Sequence, residues 1–439
     1  MSIGIPARLS AISVALLMLP AGMALAQGAA KGEPVRVAKA STKGAQTADG
    51  EESASGYTLD TVQVTASSAA GGVKGRQTVD KNTVVDMKDV LSQQPGVHVS
   101  GGNGASQMFS IRGLGENHLT FTVDNAGQSS QVFHHQGRFM FDPALLKSIE
   151  VEKGAGAASA GIGVTAGAIR MTTVDAPDLL APGQNFGARV SASAQSNKGA
   201  GASLAGYGRF GERFDGLLML NGVNQKDYKD GDGNEVRSWY TRKSGSLNLA
   251  VTPTRHLRFE LFADANRSKA KFASLQLDSG KTDRNSYGAK AEISDINPLL
   301  QKLSFETGYS HQDIIMGRQF RGLLAGGNPD RITRNAKASA ELAWGANRTT
   351  AGLDWYADEH RARRAYTNLA RSRSETSNNI GVFLENRMNL GEDRAWVAGL
   401  RRDRTRATTY PGFWYGPNAK QRKNRYNLTA AFTRFEFGP

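Results

Sequence analysis

Two adjacent histidines, His134 and His135, are the strongest candidates in this sequence for binding a ligand or a metal ion. They lie in a polar stretch at residues 128–137 that has the composition of a loop, and Gln136 and Arg138 follow them closely. Adjacent side chains on a strand point to opposite faces, so both imidazoles can reach one ligand only if this stretch is a loop. Imidazole binds iron, copper and zinc alike, so the pair predicts a metal without naming it. Solvated loop histidines are the alternative.

Other residue patterns exclude several kinds of chemistry. The chain has 7 histidines and no cysteine, and it contains neither an H-E-x-x-H nor a G-x-S-x-G motif. We therefore predict that the protein is not an enzyme and carries no cofactor of its own. The acidic run from Asp227 resembles the start of a calcium loop, but the twelfth position counted from Asp230 is Thr241 instead of glutamate. We expect an acidic hairpin loop there.

A loop of small residues, 154–163, separates two β-prone runs at residues 148–152 and 168–174. Glycine and alanine at this density allow close backbone approach and positive φ. Such a loop resembles a phosphate cradle, but the Lys-Ser/Thr ending of a P-loop and the following helix are both missing. A nucleotide site is therefore not expected.

Several short motifs surround this loop: Asp60–Thr65 (DTVQVT), Leu91–Val97 (LSQQPGV), Ile111–Gly113, Val123–Asp124, Asp142–Val151 (DPALLKSIEV) and Gly167–Ile169. Each motif is weak alone, but their order along the chain, behind a signal peptide, is specific. Together they resemble the plug domain of TonB-dependent outer-membrane receptors, and the resemblance covers residues 58–180.

The resemblance implies a TonB box that pairs, by strand addition, with the energy-transducing TonB protein of the periplasm. An edge strand of the next domain is the alternative for this segment. The box consists of Asp60, Thr61, Val62, Gln63, Val64 and Thr65.

The resemblance also implies that plug loops contact the cargo, and in haem receptors a plug histidine holds the iron. The ligand-binding candidates are therefore His134, His135, Gln136 and Arg138, with the two histidines as the metal ligands. The expected cargo is an iron–siderophore complex, and haem is the alternative.

The composition along the chain predicts five segments. Arg8, an apolar run and Ala24-Leu25-Ala26 have the pattern of a secretory signal peptide. The polar, small residues behind it predict a disordered periplasmic leader. The segments are 1–26 (signal peptide), 27–56 (leader), 57–67 (TonB box region), 78–182 (plug domain) and 185–439 (partial β-barrel).

The plug segment predicts a small α+β core. Residues 82–94 have the pattern of one short helix, which Pro95-Gly96 ends. Alternating runs predict strands that pack together with Ile149 and Ile169. These runs are Val97–Val99, Phe109–Arg112 and Leu119–Val123.

After Pro182 the sequence alternates regularly, as at Leu257, Phe259 and Leu261. Segments of about ten alternating residues, joined by short and longer connections in turn, are typical of an outer-membrane β-barrel. The predicted fold class is an α+β plug domain followed by a transmembrane antiparallel β-barrel. We count about twelve strands, roughly half of the 22 that the receptor family uses, and lipid does not tolerate an unpaired edge. We therefore expect a truncated or frameshifted receptor, with a smaller closed barrel as the alternative.

The formal net charge of +14 predicts attraction to anions, either lipopolysaccharide phosphates or an anionic iron chelate. Nucleic acid is not expected, because the basic residues form no motif with interleaved aromatic side chains. The sequence thus predicts an outer-membrane protein in contact with lipid and lipopolysaccharide. Three functions are hypothesised: siderophore uptake, haem uptake, and the role of a passive porin or adhesin that kept a vestigial plug.

Overall fold

The computed structural model describes two regions that pack together, a globular part that we call the plug and a large sheet that we call the wall. The expected signal peptide, leader, Asp60 and the stretch containing His134, His135, Gln136 and Arg138 lie outside the described residues. Those residues are 61–68, 72–80, 87–91, 94–103, 106–115, 118–128, 142–153, 158–161, 167–195, 198–271, 279–316, 319–320, 323–324, 329–362, 372–391, 394–411 and 420–437.

The described part of the plug contains one short helix, α1 (Met87–Leu91), and nine strands. None of the described helices is both long enough and apolar enough to cross a bilayer. The strands are β1 (Thr61–Ser68), β2 (Gly72–Asp80), β3 (Val97–Asn103), β4 (Ser106–Ile111), β5 (Leu114–Gly115), β6 (Leu119–Val123), β7 (Ala126–Gly127), β8 (Leu146–Lys153) and β9 (Gly167–Thr173).

Six of these strands form one mixed sheet in the order β2-β1-β8-β9-β6-β7, and β3, β4 and β5 form a second, antiparallel sheet. β1 runs parallel to β8, and β6 runs parallel to β9. Ile149 and Ile169, predicted as core residues, are both 0% exposed, so the expected α+β core is confirmed. The helix expected over 82–94 is observed only as α1, which ends at Leu91, while residues 82–86 and 92–93 lie outside the described part. After α1, the Gln94 N–H donates to the Leu91 carbonyl, and Gly96 turns the chain with φ of +74°.

The wall is a twelve-stranded antiparallel sheet, the number expected from the sequence, and two short hairpins lie between its strands. The sheet order is β10-β11-β12-β15-β16-β17-β18-β21-β22-β23-β24-β25, so β10 and β25 are its edges in the described part. The strands are β10 (Phe186–Gln195), β11 (Gly199–Phe210), β12 (Phe214–Gln225), β13 (Tyr228–Lys229), β14 (Glu235–Val236), β15 (Tyr240–Thr254), β16 (Leu257–Lys271), β17 (Ser279–Ser294), β18 (Leu300–Met316), β19 (Gln319–Phe320), β20 (Leu323–Leu324), β21 (Asp330–Trp344), β22 (Asn347–Ala362), β23 (Ser372–Asn389), β24 (Arg394–Thr409) and β25 (Arg422–Phe437).

The two faces of the wall differ in the way that the alternation predicts. On β23, Ile380 and Val382 are 56% and 53% exposed, whereas Phe383 between Val382 and Leu384 is 4% exposed. The opposite face packs on the plug and carries many buried polar side chains, among them Arg242, Ser244 and Asn379. An apolar outer face around a polar interior is the arrangement of outer-membrane barrels, so the expected fold class is confirmed.

The two ends of the wall differ in their connections. At one end, which we call the short-turn rim, β11–β12, β15–β16, β17–β18, β21–β22 and β23–β24 are joined by two to five residues. At the other end, all connections except that between β10 and β11 span seven residues or more. Asp230 lies in one of these, where its carboxylate accepts the N–H groups of Asp232 and Asn234 at 3.0 and 2.8 Å, so the acidic stretch forms the expected hairpin.

Candidate functional site: the plug–wall interface

Asp142 makes a deeply buried polar contact between plug and wall. It precedes Pro143 in a 3₁₀ turn, Pro143–Leu145, and its carboxylate caps that turn by accepting the Ala144 N–H at 3.0 Å. From the wall, the carboxylate accepts hydrogen bonds from Arg242 at 3.4 Å, from Asn221 at 2.5 Å and from the Ser244 hydroxyl. The side chains of Asp142 and Arg242 are each only 2% exposed.

These donors decide the charge of Asp142. Burial by itself would raise the pKa of this carboxyl, but the Arg242 guanidinium and the hydrogen bonds from Ser244 and Asn221 hold the pKa below its usual range. The contact is therefore a buried ion pair at neutral pH. Such a pair fixes geometry because either charge alone, left in a dry interior, is strongly unfavourable.

Replacing Arg242 with alanine should therefore destabilise the docked plug by about 3–5 kcal/mol, the usual penalty for breaking a buried ion pair. The measurement is the free energy of plug unfolding from urea denaturation of the purified chain. Arg267→Ala is the matched control, because Arg267 is 53% exposed and pairs with Asp283 on the surface. An exposed pair contributes about 0–1 kcal/mol, so equal losses in the two variants would contradict the prediction.

A hairpin tip of the plug forms a second contact. Asp124 and Asn125 between β6 and β7 have φ of +43° and +65°, the left-handed conformation of a tight hairpin turn. The amide of Asn335 accepts the Gly127 N–H at 2.7 Å and donates to the Asn125 carbonyl at 2.8 Å. Gly308 of β18 allows this close approach, because a Cβ at this position would lie only 2.5 Å from the Ala126 Cα.

The small-residue loop forms a third contact. Its described part, 158–161, docks on the wall through main-chain groups: the Ala158 N–H donates to Glu385 at 2.9 Å, and the Ala158 carbonyl accepts from Arg401 at 3.1 Å. Arg401 is itself held by Asp354, with two hydrogen bonds of 2.7 Å. A carboxylate facing this loop disfavours a phosphate, so the small residues serve close packing against the wall.

The predicted TonB box, apart from Asp60, lies in β1. Strand addition requires an unpaired strand edge, but β1 has a neighbour on each side and is not an edge strand: Val62 pairs with Val79 of β2, and Gln63 pairs with Ser148 of β8. The physical reason is that an alternating, β-prone run completes a sheet wherever a strand edge is available. Its role as a TonB box stays a prediction.

The described residues bring together no group of three or more His, Asp or Glu side chains suited to a metal ion. His134 and His135 lie outside the described residues, so their role as ligands stays a prediction. Sequence reasoning missed Arg242, Asn335 and Arg401 as plug-docking residues. The sequence offered one indication of them, a charged or amide side chain at a plug-facing position of an alternating strand. Such a side chain does not by itself identify its partner in the plug.

Comparison with known proteins agrees with this architecture. The family model of the TonB-dependent receptor plug domain matches residues 63–168. The chain is 39% identical over 204 residues to the heme transporter BhuA of Brucella suis biovar 1, a match that covers 46% of this chain and 31% of that protein. It is 37% identical over 140 residues to the hemin receptor of Yersinia pestis, covering 31% of this chain and 20% of that protein. The chain thus spans about a third or less of the length of these curated relatives.

Solved structures show the same fold. The copper transporter OprC superposes with a TM-score of 0.71 at 23% identity, over 81% of this chain and 59% of that chain. The FrpB iron transporter of Neisseria meningitidis, in its apoprotein form (F5-1 variant), superposes with a TM-score of 0.68 at 24% identity, over 80% of this chain and 58% of that one. At these identities the likeness concerns the fold alone.

Proposed function

Because the chain belongs to the TonB-dependent receptors of the outer membrane, we propose that it acts in the energised uptake of haem across that membrane, with the plug as the gate. The observation that carries the gating proposal is the buried ion pair between Asp142 of the plug and Arg242 of the wall. A plug held in place by specific buried contacts stays docked until work is done on it. Receptors and transporters of this family are not enzymes.

The gate opens, in this proposal, when the TonB protein pairs with β1. β2 is an edge strand of the plug sheet, and β1 lies between β2 and β8. A partner strand that replaces β2 gains main-chain hydrogen bonds to β1 without first breaking the parallel pair of β1 and β8. Pulling on β1 then transmits force directly to β8, whose first residues follow the buried contact at Asp142.

Haem is the favoured cargo because relatives that match at 37% and 39% identity are a hemin receptor and a heme transporter. A histidine ligand to haem iron is common chemistry, and His134 and His135 supply two imidazoles in a plug stretch. Gln136 and Arg138 supply an amide and a cation for the haem propionates. Cargo binding and the pairing of β1 with the TonB protein are then coupled events. Each must raise the affinity of the other by the same factor.

Purified protein incubated with haem should show a Soret band shifted from that of free haem, and the His134→Ala/His135→Ala double variant should lose this shift. The shift arises from imidazole coordination to the iron, so loss of both imidazoles removes it. His98→Ala is the matched control, since His98 is an exposed residue of β3 and should leave the band unchanged. An unchanged Soret band in the double variant would reject these histidines as ligands.

An iron–siderophore complex is the second candidate cargo, and the net charge of +14 favours it, because many such chelates are anionic. Growth assays separate the two cargoes. Rescue of iron-starved cells by haem supports the first proposal, whereas rescue by a ferric siderophore alone supports the second. For the outer face of the wall, we propose contact with lipid acyl chains and, at the long-loop end, with lipopolysaccharide.

A further inference from the structure

A cavity of about 180 Å³ lies between the plug and the wall, beside the short-turn rim. The plug lines it with Asp124, Asn125 and Asp175, and the wall contributes Asp215 and Asn248 among others. None of the docking contacts described above uses the carboxyl groups of Asp124 or Asp175.

Both plug carboxyls are half-buried, and both favour the protonated form. Burial raises the pKa of Asp124 to about 7, although Thr173 donates two hydrogen bonds to it, and the nearby Asp175 and Asp264 add to the increase. Burial also raises the pKa of Asp175 to about 7, and the charges of Glu260 and Asp178 act in the same direction, whereas Lys147 and Arg258 oppose them.

The charged groups that face the two carboxyls are mostly acidic. Within the described part of the chain, each basic group around the cavity already has a carboxylate partner at 2.6–2.9 Å. These ion pairs are Lys147–Asp178 in the plug, and Arg258–Asp215, Arg258–Glu260, Arg284–Asp264 and Lys290–Glu292 in the wall.

Glu306 also lines the cavity from the wall. Negative charge on Asp124 or Asp175 would therefore face wall carboxylates across the interface, with no described base left over to pair with it. Like charges in a partly dry interface repel, and this repulsion acts directly on plug docking.

We propose that this cavity is a proton-sensitive latch, in which protonated Asp124 and Asp175 allow tight docking of the plug and their ionisation weakens it. The proposal rests on the plug being the movable gate, but it concerns how firmly the plug docks and not what is transported. It assigns a regulatory role to two plug residues that the proposed haem uptake does not otherwise use.

The direction of the pH dependence follows from proton linkage. In an undocked plug the two carboxyls have an ordinary pKa of about 4, whereas in the docked plug the pKa is about 7. Between these values the docked state holds more protons. Docking is therefore strongest below about pH 4, weakens as the pH rises from about 4 to about 7, and changes little above that.

The test is a urea titration of the detergent-solubilised full chain at pH 5.5 and pH 8.5. Because the chain contains no cysteine, a single cysteine at Leu114, which is 44% exposed in the plug, can carry a maleimide fluorophore attached beforehand. We expect a lower midpoint for plug release at pH 8.5 than at pH 5.5. In Asp124→Asn/Asp175→Asn this difference should fall to less than half, because amides keep the shape and do not titrate.

Asp232→Asn, in an exposed hairpin loop, is the control and should keep the full pH difference. If the double variant does not fold, Asp175→Asn alone should reduce the difference partially. A midpoint that is equal or higher at pH 8.5, or a double variant with the full difference, would overturn the proposal. Since no cargo is present in this experiment, its outcome is independent of the proposed haem uptake.

Discussion

Replacing Val62 with proline should abolish energised uptake while leaving surface abundance and cargo binding unchanged. Proline removes a main-chain N–H and fixes φ near −65°, so β1 can no longer serve as a continuous template for a partner strand. The measurement is uptake of labelled haem by cells, alongside surface immunoblotting and haem binding to isolated outer membranes. Full uptake by this variant would remove the TonB-box assignment from β1.

A control is needed because β1 also pairs inside the plug. Val79 of β2 is the register partner of Val62, so Val79→Pro disturbs the same pair of strands from the other side. If Val62→Pro acts by blocking the TonB protein, Val79→Pro should retain most uptake, since β2 is the strand that the partner replaces. Equal loss in both variants would indicate damage to the plug sheet instead.

Collapse of the proton gradient tests the remaining alternative, a passive porin or adhesin with a vestigial plug. Uptake by the unmodified protein should stop when the gradient is removed, because force on β1 requires an energised partner. Uptake that continues unchanged would support the passive channel and contradict energised transport of either cargo.

Replacing Gly167 with alanine should destabilise the plug more than the same change at Gly96, Gly113, Gly115, Gly127 or Gly161. Gly167 begins β9 with φ of +147°, and a Cβ there would lie 2.0 Å from the Glu152 carbonyl oxygen and 3.1 Å from Ile111 Cδ1. The carbonyl belongs to β8, which pairs with β9, so it cannot move without breaking the ladder. We expect a loss of more than about 3 kcal/mol in the free energy of plug unfolding.

Alanine substitutions at two other plug glycines separate the steric clash from the backbone strain. Gly115→Ala should be nearly neutral, because no atom lies within 4 Å of the added Cβ and its φ is ordinary. Gly113→Ala has equal space but φ of +80°, so it should show only the backbone strain of about 1–2 kcal/mol. A Gly167→Ala loss no larger than that of Gly113→Ala would mean that the clash with Glu152 is relieved by local movement.

Much of the wall was predictable because strand alternation is a local property. The pleat of β23 puts Val382 and Phe383 on opposite faces of the wall, and the apolar run around them already indicated a strand. The plug core was predictable for a related reason. Ile149 and Ile169 lie in alternating runs bounded by turn residues, and both are fully buried.

The candidate site was predictable only in part. The family motif marks Asp142, yet nothing near it in the sequence indicates Arg242, which is one hundred positions away. Likewise, Asp124 and Asn125 carry the signature of a turn. The hydrogen bond from Asn335 to the Asn125 carbonyl, however, depends on the register of wall strands that come much later in the chain. The same limit applies to β1, whose β-propensity was evident but whose two neighbours were not.

By itself, then, the sequence determined the strand-rich wall, the α+β plug and the resemblance to a receptor plug domain, because side-chain alternation and short motifs are encoded over a few neighbouring residues. Only the tertiary structure decided which plug groups meet which wall groups. Ion pairs such as Asp142–Arg242, and the acidic cavity at Asp124 and Asp175, arise where distant segments are brought within hydrogen-bonding distance. Their charge and protonation depend on burial, which no local pattern of residues specifies.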